Sequence, residues 1–112
     1  MRAVHQRELQ IYRDPNGQEP YTQWFESIQD LEAQERIQTR LYRVEEGNLG
    51  DYRSVGEGVF ELRFRPSPGY RVYFGQIGNT IVLLLCGGDK SSQTRDIKRA
   101  KAYWREYKES QK

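Results

Sequence analysis

The chain has 112 residues, 36% apolar, 30% charged and 12% aromatic, with a net charge of +2. Its length predicts one domain, residues 1–112, whose modest core draws on eight Tyr, four Phe and two Trp. The longest apolar run, Ile81–Cys86, falls far short of the roughly 20 residues that span a bilayer, so no membrane partner is expected.

Val4–Tyr12 alternates moderately and stops at Asp14-Pro15-Asn16-Gly17, which predicts a first strand and a turn. Pro20 suits the first turn of a helix that carries Tyr21, Trp24, Phe25 and Ile28 at helical spacing. Asp30 is a good N-cap for a second helix, with Ile37, Leu41 and Val44 as its stripe and Gly47 placed to end it. Glu32, Arg36 and Arg40 stand four apart on its expected exposed side. The two helices predict an αα-hairpin.

After the Gly-rich stretch 47–58 the apolar period becomes two. Phe60, Leu62 and Phe64 then share one strand face, and Glu61, Arg63 and Arg65 the other. Pro66-Ser67-Pro68-Gly69 predicts a turn. The next strand, Tyr70–Phe74, places Arg71 and Tyr73 opposite Tyr70, Val72 and Phe74, and a turn is expected over Gly75–Asn79. Ile81–Cys86 is apolar on both faces, as in a central strand covered on both sides, and Gly87-Gly88 ends it. Ser91 or Ser92 can cap a last helix with an apolar stripe (Ile97, Ala100, Trp104, Tyr107) and a basic one (Lys98, Lys101, Arg105, Lys108). The order βααβββα predicts an α+β fold: a small antiparallel-type sheet packed on the αα-hairpin, with a C-terminal helix. One sheet face is expected to be polar and open to water.

Residues 90–112 carry eight Lys/Arg and three Asp/Glu, a basic end that points to an acidic partner such as nucleic acid. Solvation of a helix accounts for it equally well. Arg63, Arg65 and Arg71 cluster on one face of two neighbouring strands, with Tyr73 and Glu61 among them. Like charges on adjacent strands repel, so the cluster makes sense if an anion sits between them. Arginine's fork suits phosphate, and a ring beside it suits base stacking. The alternative is that Glu61 pairs with one arginine and water takes the rest. Gly87-Gly88-Asp89-Lys90-Ser91-Ser92 follows a buried strand and precedes a helix, where backbone N–H groups and Lys90 welcome an anion, although its spacing is not that of a P-loop.

His5 reads as surface decoration and Cys86 as a core residue. One His, one Cys and no acidic pair at ligand spacing argue against a metal site or a Cys-His nucleophile, and no cofactor is expected. The opening MRAVHQRELQ has no apolar signal region, and a lone cysteine fits a reducing, cytoplasmic setting.

Three runs carry a family resemblance: Glu61-Leu62-Arg63, Gly69-Tyr70-Arg71-Val72-Tyr73-Phe74 and Leu84-Leu85-Cys86-Gly87-Gly88-Asp89-Lys90-Ser91-Ser92-Gln93. Together they resemble the RelE/ParE toxin superfamily, and more narrowly its HigB-like, phage-related addiction module killer branch. The resemblance implies a type II toxin: a metal-independent, ribosome-dependent mRNA endonuclease held in check by a small antitoxin, often with a helix-turn-helix domain. In such enzymes the ribose 2′-hydroxyl attacks the adjacent phosphate, and cationic side chains stabilise the charge that develops. By position, the resemblance makes Arg71 the stabiliser of that charge, Arg63 a basic residue of the preceding strand, and Lys90 an assistant to the leaving group or a phosphate contact. Arg65, Tyr73 and the helix residues Lys98, Lys101, Arg105 and Lys108 would orient RNA. Where relatives place a tyrosine after the last strand, this chain has Gln93, Thr94 and Asp96, and it offers no histidine base there. Glu61 is the chemical candidate for general base, with Asp89 second. The rival readings are a ParE-like gyrase inhibitor without chemistry, and an idle relative that only binds antitoxin or RNA.

Overall fold

The computed structural model describes residues 6–65 and 69–112. His5, the start of the expected first strand, and Pro66, Ser67 and Pro68 of the expected turn lie outside the described residues. In chain order the elements are β1 (Glu8–Ile11), α1 (Pro20–Ser27), α2 (Leu31–Glu45), β2 (Tyr52–Gly56), β3 (Val59–Arg63), β4 (Arg71–Ile77), β5 (Ile81–Gly88) and α3 (Gln93–Ser110). A single 3-10 turn, Lys90–Ser92, leads into α3.

The strands form one sheet in the order β1-β5-β4-β3-β2. Strands β2 to β5 are an antiparallel meander, and β1 joins β5 in parallel, so the α+β sheet is mixed rather than antiparallel. Strand β2 arises inside the Gly-rich stretch expected to be loop. Its hairpin with β3 closes through Gly56, Glu57 and Gly58, all at positive φ, a conformation that glycine supplies at little cost.

Helices α1 and α2 form where the apolar spacing puts them. Pro20 occupies the first turn of α1, where its missing N–H is no loss. The Asp30 carboxylate accepts hydrogen bonds from the backbone N–H groups of Glu32 and Ala33, a cap that contributes about 1 kcal/mol. Gly47, at φ 97°, turns the chain out of α2. The buried stripe Ala33, Ile37, Leu41 and Val44 meets Leu62, Val72, Phe74, Val82 and Leu84 on one face of the sheet.

Arg40 departs from the expected exposed position. Its guanidinium turns inward and donates to the carbonyls of Leu49 (2.9 Å), Asp51 (2.7 Å) and Arg63 (2.8 Å). Carbonyls at the edge of regular structure need donors, and Arg40 supplies one to each of these three. It thereby ties the approach to β2 to the end of β3.

The second face of the sheet is also covered, which corrects the expectation that it lies open to water. Helix α3 lays Ala100 and Trp104 on Val59, Tyr73, Leu83, Leu85 and Cys86. Strand β4 runs through Gly75, where a turn was expected, because the Trp104 indole fills the space a side chain would take there. Burial pushes the Cys86 thiol up to about 12, as suits a core residue. No helix among the described residues is long and apolar enough to cross a membrane.

Candidate anion site at the end of the sheet

Strand register gathers the arginines. Arg63 of β3 lies opposite Arg71 of β4, and Arg71 lies opposite Gly88 of β5. Asp51 precedes β2 beside this row, and its carbonyl accepts the Arg63 N–H at 3.0 Å. Two residues further in, the next row is Arg53, Glu61, Tyr73 and Cys86. Lys90 comes to the same end, since its Cβ lies 3.4 Å from where a Cβ on Gly69 would be. Sequence reasoning placed Arg63, Arg71 and Lys90 together; the register sets Arg63 opposite Arg71, and the Lys90 Cβ lies beside Gly69 at the same end of the sheet.

Glu61 organises this end. It is fully buried, and its carboxylate accepts hydrogen bonds from Arg53 Nε (2.9 Å), Tyr73 Oη (3.0 Å) and Gln93 Nε2 (2.9 Å). Arg71 Nη1 stands 3.7 Å from the same carboxylate. Burial raises the Glu61 pKa, but the bonds from Arg53, Gln93 and Tyr73 outweigh it and hold the carboxyl below its ordinary value. A carboxylate so enclosed and so weakly basic does not reach a substrate hydroxyl, which corrects its expected role as general base. Its geometry positions cations instead.

Tyr73 is likewise corrected as an RNA contact. It has no exposed surface, because α3 lies over the sheet there, and its ring presents no face to a base. Burial, with Glu61 alongside, raises its hydroxyl pKa strongly.

The arginines differ in what holds them. Arg63 is about one-third exposed and binds Asp51 through Nε (3.2 Å) and Nη2 (2.8 Å). Asp51 is held below the ordinary carboxylate value, chiefly by that hydrogen bond. Arg65 is largely exposed, 3.8 Å from Asp51. Arg71 is only 13% exposed, and its Nε is buried with no hydrogen-bond partner among the described residues.

The basic stripe of α3 mostly serves the opposite end of the sheet. Lys101 (3.5 Å) and Arg105 (3.0 Å) both meet Glu57 at the β2–β3 turn, and Lys108 stands 5.5 Å over the Trp104 ring. That turn lies roughly 13 Å along β3 from Arg63 at the usual strand rise. Lys98 is exposed and makes no ion pair among the described residues.

The start of α3 holds residues that sequence reasoning missed. Asp89, rather than either serine, caps the 3-10 turn by accepting the Ser91 N–H at 2.8 Å. Its carboxyl is held low first by hydrogen bonding to Ser91, so it too is a weak base. Ser92 Oγ donates to the buried Asp96 carboxylate, which sits over Gly88 where a side chain would otherwise stand. Gln93, Asp51 and Asp96 have no signal in the sequence beyond polarity near a helix start or a strand, which surface residues share.

This is an α+β protein with a mixed five-stranded sheet and an arginine row at one end. The chain belongs to the same family as a Haemophilus influenzae protein described as "Uncharacterized protein", with which it is 46% identical over 81 residues. That alignment covers 72% of this chain and 82% of the relative. No family model matches the chain.

Proposed function

We propose that this protein is the toxin of a type II toxin–antitoxin system, a RelE/HigB-type, metal-independent and ribosome-dependent mRNA endoribonuclease that arrests translation in the cytoplasm. The observation that carries the reading is Arg71. Its guanidinium is mostly buried, the Glu61 carboxylate beside it accepts hydrogen bonds from three other donors and stands 3.7 Å from Arg71 Nη1, and Arg71 Nε has no hydrogen-bond partner among the described residues. The part of the guanidinium that stays accessible offers charge-assisted donors to a phosphate oxygen, and the register sets Arg63 directly opposite it. Arg63 beside it and Lys90 across the turn add charge, and the α+β architecture is compatible with the superfamily.

In this reading the ribose 2′-oxygen forms a bond to the adjacent phosphorus and the bond to the 5′-oxygen breaks. The products are a 2′,3′-cyclic phosphate and a 5′-hydroxyl. Arg71 stabilises the charge on the pentacoordinate phosphorus, Arg63 and Arg65 hold the flanking backbone, and Lys90 supports the departing 5′-oxygen. Glu61 holds Arg71 and Arg53 in place. The hydroxyl proton passes to water, so catalysis rests on positioning and electrostatics. A cognate antitoxin, of helix-turn-helix type, covers the same cations in the resting complex.

Induced expression followed by mapping of mRNA 5′ ends tests this. Breaks inside translated codons are expected, with growth restored by Arg71→Ala and by Lys90→Ala at unchanged folding. Intact transcripts with altered DNA supercoiling overturn it in favour of a gyrase inhibitor.

A further inference from the structure

A cavity of about 790 Å³ opens beside the arginine row, between α1, the end of β5 and the start of α3. It lies within the range of small-molecule sites. One wall is aromatic: the rings of Trp24 and Tyr70 meet edge to face at 6.0 Å. The other wall carries a carboxylate between two guanidinium groups. Asp96 is buried, and Arg95 Nε and Arg99 Nη1 each stand 3.9 Å from its Oδ1. Those distances are too long for hydrogen bonds, and Oδ1 accepts none among the described residues; the Ser92 hydroxyl binds Oδ2. Arg95 is largely exposed, and Arg99, about half exposed, gives Nη2 to the Tyr103 hydroxyl (3.1 Å) and keeps its Nη1 on the cavity side beside Asp96.

The cavity adjoins the proposed cleavage site through chain neighbours, although Arg63, Arg71 and Lys90 do not line it. Tyr70 directly precedes Arg71, and Gly88 pairs with Arg71 across the sheet. A nucleotide whose phosphate met Arg71 would therefore have this cavity within reach of its base.

We propose that this cavity is a guanine-binding subsite. It rests on the ribonuclease reading for its place beside a scissile phosphate. Guanine alone among the four bases sets two adjacent N–H donors, N1 and N2, toward a carboxylate while offering O6 and N7 to an arginine fork. Asp96 Oδ1, the oxygen that the Ser92 bond leaves open, accepts one of those N–H groups, Arg95 and Arg99 beside it face O6 and N7, and the aromatic wall takes the ring. The three polar side chains determine specificity; they do not take part in breaking the bond.

The test combines two measurements on the whole chain. In NMR titrations, guanosine 5′-monophosphate should shift the amides of Gly87, Gly88 and Ser92 and the Trp24 indole. Adenosine, cytidine and uridine monophosphates should bind at least fivefold more weakly. Asp96→Asn should remove that preference, and Arg99→Gln, which leaves the buried carboxylate in place, should weaken it if Asp96→Asn does not fold. In cells, 5′-end mapping should show breaks enriched next to guanine, and Asp96→Asn should lower that enrichment roughly tenfold relative to breaks next to the other three bases. Equal shifts from all four nucleotides, or shifts confined to Arg63 and Arg71, overturn the subsite whether or not RNA is cut. Guanine-selective shifts from a protein that cuts no RNA support the subsite and overturn the ribonuclease reading alone.

Discussion

The two ends of the α3-covered sheet face each pair cations with one glutamate, and the outcomes differ. At the β2–β3 turn, Glu57 is exposed and meets Lys101 and Arg105 in water, where such pairs contribute little. At the other end, Glu61 is sealed beneath α3 and meets the mostly buried Arg71 and the half-exposed Arg53. The exposed pairs engage two cations of the basic helix, Lys101 and Arg105. The buried carboxylate fixes a guanidinium whose Nε is still unsatisfied. Burial, more than the number of positive charges, therefore distinguishes the two ends.

Removing Glu61 breaks that comparison most directly. Glu61→Ala leaves Arg53, Arg71, Gln93 and Tyr73 facing a buried gap, and should lower the free energy of unfolding by roughly 3 kcal/mol in urea titrations at neutral pH. A loss no larger than that of Glu57→Ala would contradict the distinction between the two ends.

Filling Gly75 comes next. The Trp104 indole occupies the space of its missing side chain, so Gly75→Ala should cost about 2 kcal/mol by forcing the ring off the sheet. Loss of Trp104 fluorescence shielding should accompany it.

Acid sharpens the same comparison. The Glu61 pKa is lower in the folded chain than in the unfolded one, so its contribution is complete above about 4.3 and is lost as pH falls through the folded value. The stability difference between the natural chain and Glu61→Gln should be largest near neutrality and shrink below about pH 4. A difference that grows in acid would reverse the sign assigned here. The smallest effect belongs to Glu57→Ala, expected to change stability by less than about 1 kcal/mol, and by less still in high salt.

Much of the architecture was legible in the sequence. The stripes of α1, α2 and α3, the Asp30 cap, the helix-ending Gly47 and the two-sided burial of β5 all follow from period and turn chemistry. Strand β2 was not, because Tyr52-Arg53-Ser54-Val55 has little apolar alternation and lies among glycines. The second sheet face misled for a related reason. Glu61, Arg71 and Tyr73 read as solvent residues by polarity, whereas they satisfy one another under α3. Such a network cannot be read from a single strand, because its partners come from β2, β3, β4 and α3. The arginine row was legible through strand alternation and the short β3–β4 connection. The cavity beside it was not, because α1 and α3 meet there only in the folded chain.

The central claim is that Arg71, and not the basic helix, carries RNA cleavage. It is tested by mapping mRNA 5′ ends after induction of Arg71→Ala and Arg105→Ala, each shown to fold and to be expressed at equal level. Cleavage should fall at least about a hundredfold in the first, and by no more than about threefold in the second, where a single exposed phosphate contact is at stake. Equal losses in the two variants would contradict the account.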